Sequence, residues 1–137
     1  MEENNDRVNV LIIAQASRFR DGLKVIVQAL NWVGNVAAFT QETAVYDYVQ
    51  RYQPALVIFD VDDLGSVTAE EVETIKTTCH NIKCLAIIDR AQQREIAQAM
   101  GADVVLLRGF TTELFYHTIR TLVIAHDGTV PVTGSLG

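Results

Sequence analysis

Five short apolar runs alternate with segments of helical spacing, and this alternation is the feature that most limits the fold. The runs read RVNVLIIA (7–14), NVAAFT (35–40), ALVIFD (55–60), CLAIID (84–89) and VVLL (104–107). Strands this short and this apolar need helices on both faces of their sheet. The sequence therefore predicts an α/β fold, a doubly wound five-stranded parallel sheet with five helices.

Cap residues predict where the helices begin and end. The first apolar stripe continues to Val33, so we expect its helix to end before Gly34. A capping box begins at Thr68 ahead of the third helix. Gly101 closes a short helix, and Thr111 caps the last one. The 137 residues suit one domain, predicted over residues 1–126, with a Gly-, Thr- and Ser-rich tail or linker over 127–137.

The net charge and the apolar pattern of the sequence limit the kinds of partner that the chain is expected to bind. Asp and Glu number 17 against 11 Lys and Arg, for a net charge of -6, so direct nucleic-acid binding by this segment is not expected. No apolar stretch approaches the roughly 20 residues that span a bilayer, and the acidic N-terminus is unlike a signal peptide. We expect a cytoplasmic protein whose two cysteines, Cys79 and Cys84, are small, partly buried apolar residues. Its three histidines have no metal-ligand spacing.

Ligands and chemistry gather at the carboxyl ends of the strands in an open parallel sheet. Several carboxylates and an arginine at one edge of the sheet could bind a cation, accept a phosphoryl group or form ion pairs with one another. Asp60 and Arg108 follow buried runs, so pairing between them is a natural alternative to a ligand site. Asp89, with Gln92 three residues on, is also a candidate N-cap. The residues at these strand ends are Ala14, Gln15, Ala16, Thr40, Asp60, Asp62, Asp63, Asp89, Arg90, Arg108 and Gly109.

Three segments resemble the receiver domain of two-component response regulators. They are VLIIAQASRFRDGL (10–23), PALVIFD (54–60) and MGADVVLLRGF (100–110), within a likeness that covers residues 7 to about 126. The resemblance implies the CheY-like, flavodoxin-like strand order 2-1-3-4-5. It also places the phosphoacceptor aspartate of the family on Asp60.

Departures from the family pattern concern the residues around that aspartate. The two acidic residues that hold Mg²⁺ fall on Ala14 and Gln15, which lack the negative charge that a hard dication requires. The family's lysine falls on Arg108, and its following proline on Gly109. The switch aromatic of the fifth strand falls on Val105, which has no ring.

The family's hydroxyl residue at the end of the fourth strand falls on Asp89, or on Ile88 if the gap is placed differently. Neither offers a hydroxyl group, and Asp89 would repel a phosphoryl oxygen. The pattern resembles the atypical, pseudo-receiver branch of the family. Such a domain works by protein contacts, with phosphorylation weak or absent, no enzymatic activity and no cofactor. Binding of Mg²⁺ is expected to be weak or absent, with Asp60 and Asp62 as weak candidate ligands.

The last helix carries more apolar residues than one core stripe requires, which predicts either a broad buried face or a partner surface. We expect a protein partner or output domain, and a homodimer through the last helices. Its apolar residues are Leu114, Phe115, Tyr116, Ile119, Leu122, Val123, Ile124 and Ala125.

Three other functions stay open on the sequence. One is a phosphorylatable receiver whose rebuilt acid pocket uses Asp60, Asp62 or Asp89 around a metal ion. A second is a small-ligand domain of flavodoxin-like shape, although AQASRF (14–19) is not a glycine-rich phosphate loop. The third is an enzyme, for which the strand ends offer no Ser-His-Asp or Cys-His set.

Overall fold

Strands and helices alternate strictly in the computed structural model, which describes residues 7–39, 43–61 and 69–126. The strands are parallel and lie in the order β2-β1-β3-β4-β5. This confirms the predicted fold class and strand order. The strands are β1 (Val8–Ile13), β2 (Val33–Phe39), β3 (Leu56–Asp60), β4 (Lys83–Ile88) and β5 (Val104–Leu107). The helices are α1 (Arg18–Gln28), α2 (Thr43–Tyr52), α3 (Ala69–Thr78), α4 (Arg94–Ala99, preceded by a 3-10 turn at Ala91–Gln93) and α5 (Thr112–His126).

The core has two layers because side chains alternate between the two faces of each strand. On one face of β1 and β3, Leu11 and Phe59 pack with residues of α2, α3 and α4. On the other face, Ile12 and Ile58 pack with residues of α1 and α5. Both faces of the central strands are therefore buried, which explains why their sequences are apolar throughout. None of the helices in the described ranges is long and apolar enough to cross a membrane.

The predicted extent of the first helix is wrong. Helix α1 ends at Gln28, and Gly34 lies inside β2 rather than just past a helix. Pairing with β1 starts early, because the Val8 N–H donates to the Trp32 carbonyl at 3.0 Å. A β-carbon added at Gly34 would lie 3.1 Å from Oδ1 of Asn9, so the glycine permits a close approach between strands.

Two other predicted cap residues are confirmed. The Thr111 hydroxyl accepts a hydrogen bond from the Leu114 N–H at 3.0 Å, at the start of α5. Gly101 follows α4 with φ of 109°, the left-handed conformation that favours glycine at a helix end. The capping box at Thr68 and the tail over 127–137 lie outside the described residues.

Candidate functional site at the carboxyl edge of the sheet

Three charged residues meet where β3, β4 and β5 end. Asp60 is the last residue of β3, Asp89 follows β4 and Arg108 follows β5. The Arg108 N–H donates to the Ile88 carbonyl at 2.7 Å, which fixes the base of its side chain beside β4. Gly109 then takes a φ of 103°, so the chain turns away immediately after the arginine.

The guanidinium of Arg108 binds both carboxylates. Its Nη2 lies 2.8 Å from Oδ2 of Asp60, and its Nε lies 3.1 Å from Oδ1 of Asp89. The Asp60 side chain is only 13% exposed, whereas those of Arg108 and Asp89 are 38% and 58% exposed. Desolvation therefore falls mainly on Asp60, the carboxylate that most needs the neighbouring positive charge.

An aromatic ring covers the same guanidinium. Its central carbon lies 3.9 Å from the centroid of the Phe19 ring, a cation–π contact of about 0.5–2 kcal/mol. Phe19 meets Phe110 edge to face at 6.4 Å, and Phe110 stacks on the buried Phe115 at 5.4 Å. The position of Arg108 is thus fixed by two carboxylates and by a ring that belongs to the apolar core on the α5 side.

The end of β1 presents no carboxylate. Ala14 is buried, and its carbonyl accepts a hydrogen bond of 3.2 Å from Nη1 of Arg20. Gln15 is exposed to solvent. A cationic guanidinium therefore approaches the end of the strand where the family pattern has two acids.

The structure distinguishes between two predicted positions at the end of β4. Ile88 is fully buried in the core, and Asp89 is the residue that faces Arg108. The predicted N-cap role of Asp89 is wrong, since Arg90 is the N-cap of the turn at Ala91–Gln93. Gln93, rather than Gln92, returns to the start of that turn, because its Oε1 accepts the Arg90 N–H at 3.0 Å.

The position that the family's switch aromatic would occupy is part of β5. Val105 is half-buried and packs with the core on the α4 side. Thr40, Asp62 and Asp63 fall outside the described residues.

Three residues of this edge were missed by the sequence reasoning. Phe19 was assigned only to the apolar stripe of α1, although its ring also covers Arg108. Arg20 is in the same helical turn, and sequence gives no sign that its side chain folds back to Ala14. For Gln93 the sequence offers one indication, its spacing of three residues from Arg90, which is typical of a capping box.

A divalent cation does not fit the described part of this edge. Mg²⁺ needs oxygen ligands with net negative charge in octahedral geometry. Arg108 already binds Asp60 and Asp89, and the Ala14 carbonyl accepts from Arg20. No group of three or more His, Cys, Asp or Glu residues within 7–39, 43–61 and 69–126 is placed to hold a metal ion.

The cysteines lie at the opposite edge of the sheet. Cys79 follows α3, and its thiol donates to the Pro54 carbonyl at 3.1 Å. Cys84 lies at the start of β4 and is fully buried. Burial raises the pKa of both thiols, to about 12 for Cys84. Both cysteines are thus more deeply buried than predicted, and the raised pKa keeps both thiols protonated and unreactive near neutral pH.

No protein-family model matches the sequence, and no curated protein matches it. Solved structures do match. A CheY-like response regulator receiver domain protein from Methanospirillum hungatei is 14% identical with a TM-score of 0.73, covering 90% of this chain and 99% of that one. A DNA-binding response regulator of the LuxR family from Staphylococcus aureus is 18% identical with a TM-score of 0.69, covering 85% and 98%.

A longer protein also matches. NtrX from Brucella abortus, solved in complex with ATP, is 13% identical with a TM-score of 0.75. The match covers 92% of this chain but 29% of NtrX. The chain thus has the fold of CheY-like receiver domains, and identities this low carry the fold alone.

Proposed function

We propose that this chain is an atypical receiver domain of two-component or phosphorelay signalling, which acts through protein contacts with phosphorylation weak or absent. One observation carries the proposal. Arg108 binds the carboxylate of Asp60 at 2.8 Å, so the group that accepts a phosphoryl group in the family is already engaged by an internal cation.

The chemistry of phosphoryl transfer explains why this contact matters. The carboxylate must attack phosphorus in line, and a metal ion normally neutralises the charge that spreads over the phosphoryl oxygens. A guanidinium bound to Asp60 competes for the attacking oxygen. Asp89 would also repel the incoming group, since its carboxylate binds the same guanidinium, with Oδ1 at 3.1 Å from Nε. Ala14 and Gln15 supply no compensating metal ligand.

Exposure of the full chain to acetyl phosphate with Mg²⁺, followed by intact mass measurement, tests the proposal. We expect no phosphoryl adduct above the level of an Asp60→Asn variant. An adduct on the parent chain that disappears in Asp60→Asn would instead support the alternative, a phosphorylatable receiver with a rebuilt acid pocket.

The surface formed by α4, β5 and α5 is the proposed site of protein contact. Its large apolar side chains Ile96, Leu107 and Leu114 are exposed, one on each element. The edge strand β5 and α5 also enclose a groove of about 260 Å³, lined by Val104, His117, Thr118, Thr121 and Leu122. Exposed apolar side chains on adjoining elements are typical of an interaction surface. We propose that it forms a homodimer.

Most of the apolar surplus of α5 has a different explanation. Phe115, Ile119, Leu122 and Val123 are buried in the core, so the broad buried face accounts for them. The Tyr116 hydroxyl donates to the Ile26 carbonyl at 2.8 Å, which fixes that side chain against α1. The proposed contact on α5 therefore depends on Leu114 and the groove rather than on the whole apolar set.

An output partner is the second part of the proposal. The Staphylococcus aureus structure is described as a DNA-binding response regulator, and the match covers only 29% of NtrX. We propose that this domain likewise regulates a separate or attached output domain in the cytoplasm, without a cofactor or enzymatic activity of its own. Pull-down with the chain immobilised, compared between the parent and a Leu107→Glu variant, would identify a partner that depends on this surface.

A further inference from the structure

Gln93 is the one buried polar side chain within the described ranges. Its Oε1 accepts hydrogen bonds from the backbone N–H groups of Asp89 at 2.7 Å and Arg90 at 3.0 Å. Its Nε2 donates to the carbonyl of Val61 at 3.5 Å. A single amide therefore joins the exit of β3 to the segment that leads into α4.

The hydrogen bonds of Gln93 and the ion pairs of Arg108 together connect β3, the segment after β4 and the residue after β5. Arg108 links the carboxylates of Asp60 and Asp89. Gln93 then links the backbone of Asp89 to Val61, which is the residue after Asp60. The Val61 N–H donates to the Ile87 carbonyl of β4 at 2.9 Å, so Val61 is itself held to the sheet. Asp60 is thus connected to the first turn before α4 by a continuous path of contacts of 2.7–3.5 Å, the longest being that between Gln93 and Val61.

We propose that Gln93 is a positioning residue that couples the ion pairs of Asp60 and Arg108 to helix α4. This inference rests on the proposed function, because α4 carries Ile96 of the proposed contact surface. When Arg108 holds both carboxylates, the segment 89–93 and α4 are fixed in one position. Loss of the Asp60 contact releases Arg108 and Asp89, and Gln93 passes the displacement to α4. The alternative is a local role, in which Gln93 only caps the turn before α4.

Hydrogen exchange of the full chain, resolved by residue, separates the two roles. Gln93→Met keeps the length of the side chain but leaves the Asp89 and Arg90 N–H groups without an acceptor. We expect exchange of these amides and of α4 to rise about tenfold, with β1 and β3 unchanged. Gln93→Glu keeps the acceptor but removes the Nε2 donor to Val61, so it should retain the protection of the Asp89 and Arg90 amides but lose the response of α4 to Asp60→Asn. Gln92→Met, at an exposed neighbour, is the matched control and should match the parent.

The decisive comparison uses Asp60→Asn. If Gln93 couples the ion pairs to α4, Asp60→Asn in the parent chain should speed the hydrogen exchange of residues 89–99 as well as that of the strand ends. In the Gln93→Met variant, Asp60→Asn should cause little further increase in the exchange of α4, because the contact through Gln93 is already lost. The proposal is wrong if Asp60→Asn leaves α4 at parental protection, or if its effects on α4 are the same in both backgrounds.

This result does not depend on the phosphorylation test. A phosphoryl adduct on Asp60 would contradict the proposed function while the dependence of α4 on Gln93 stood. Conversely, a chain that resists phosphorylation but shows no response of α4 to Asp60→Asn would keep the proposed function and lose the coupling.

Discussion

Arg108 reaches Asp60 across an intervening strand. The arginine follows β5 and the aspartate ends β3, and β4 lies between them in the sheet. Neighbouring strands lie about 4.8 Å apart, so the backbones of β3 and β5 are roughly 10 Å apart, and the side chains of Arg108 and Asp60 span this distance together. Asp89, which follows β4, forms an ion pair with Nε along the way, whereas Asp60 accepts a hydrogen bond from Nη2 at the tip. A planar fork with separate donors suits this double contact, which the single ammonium of a lysine cannot reproduce.

Arg108→Ala should lower the free energy of unfolding by about 1–2 kcal/mol in urea titrations at neutral pH. The value lies between those for exposed pairs, about 0.2–1 kcal/mol, and for buried pairs that lose one partner, about 3–5 kcal/mol. It falls between them because the Asp60 side chain is 13% exposed and that of Arg108 is 38% exposed.

Two variants control this prediction. Arg108→Lys keeps the charge but reaches one carboxylate at a time, so its loss should be smaller than that of Arg108→Ala. Arg51→Ala removes an exposed arginine of α2, far from the site, and should change stability by less than about 0.5 kcal/mol. If Arg108→Ala unfolded at the same urea concentration as the parent, the pairing would contribute nothing to stability.

The fold was predictable from sequence because the central strands are apolar on both faces and each strand is followed by a helical stripe. The error at Gly34 has a local cause. A glycine after an apolar stripe usually marks a helix end, and only the approach of Asn9 in three dimensions shows its other use. Residue spacing alone does not reveal that approach.

The site was predictable only in part. Asp60 and Arg108 both follow buried runs, so their pairing could be anticipated from the cost of an unpaired charge there. The contact of Phe19 with Arg108 joins residues 89 positions apart and depends on side-chain direction, which periodicity does not give. Gln93 differs from Gln92 only by one step of a helical turn, and that step decides which amide is buried.

Restoring the acidic residues should restore metal-dependent chemistry. A variant with Ala14→Asp, Gln15→Asp and Arg108→Lys would place two carboxylates beside Asp60 and remove the competing fork. We expect it to bind Mg²⁺ in calorimetric titration and to form a phosphoryl adduct with acetyl phosphate, because both the metal and the free carboxylate would be present.

Controls for the restored variant isolate each change. Adding Asp60→Asn should abolish the adduct, and omitting Arg108→Lys should leave it weak. Circular dichroism must first show that the variant is folded, since Ala14 is buried. A folded variant that binds Mg²⁺ but forms no adduct would mean that these three substitutions are not sufficient for phosphorylation.

Charge on the α4–β5–α5 surface should prevent self-association. Leu107→Glu places a carboxylate on the exposed end of β5, and two copies would bring these charges together. In sedimentation velocity over a dilution series, the parent should show a dimer that the variant lacks. Val25→Glu is the matched control, because Val25 is exposed on α1 and lies outside the proposed surface. Loss of the dimer in both variants, or a parent that is monomeric throughout, would contradict the assigned interface.

Alkaline pH should destabilise the domain through Cys84. Burial raises the pKa of this thiol from 9.0 to about 12 in the folded chain. Between these values the unfolded chain loses a proton that the folded chain keeps. The contribution is therefore fully present below pH 9.0 and is lost as the pH rises towards about 12, by up to about 1.4 kcal/mol per pH unit.

Cys84→Ala isolates this effect, because it removes the thiol and leaves the other side chains of the domain in place. The variant should be less stable than the parent near neutral pH by about 1 kcal/mol, owing to the lost sulfur contacts in the core. Urea unfolding at about pH 8 and about pH 10.5 should then show the gap between parent and variant closing and reversing, because the parent loses about 2 kcal/mol over this range and the variant does not. A gap that stayed constant would mean that the Cys84 thiol ionises equally in the folded and unfolded chains, which its complete burial at the start of β4 argues against.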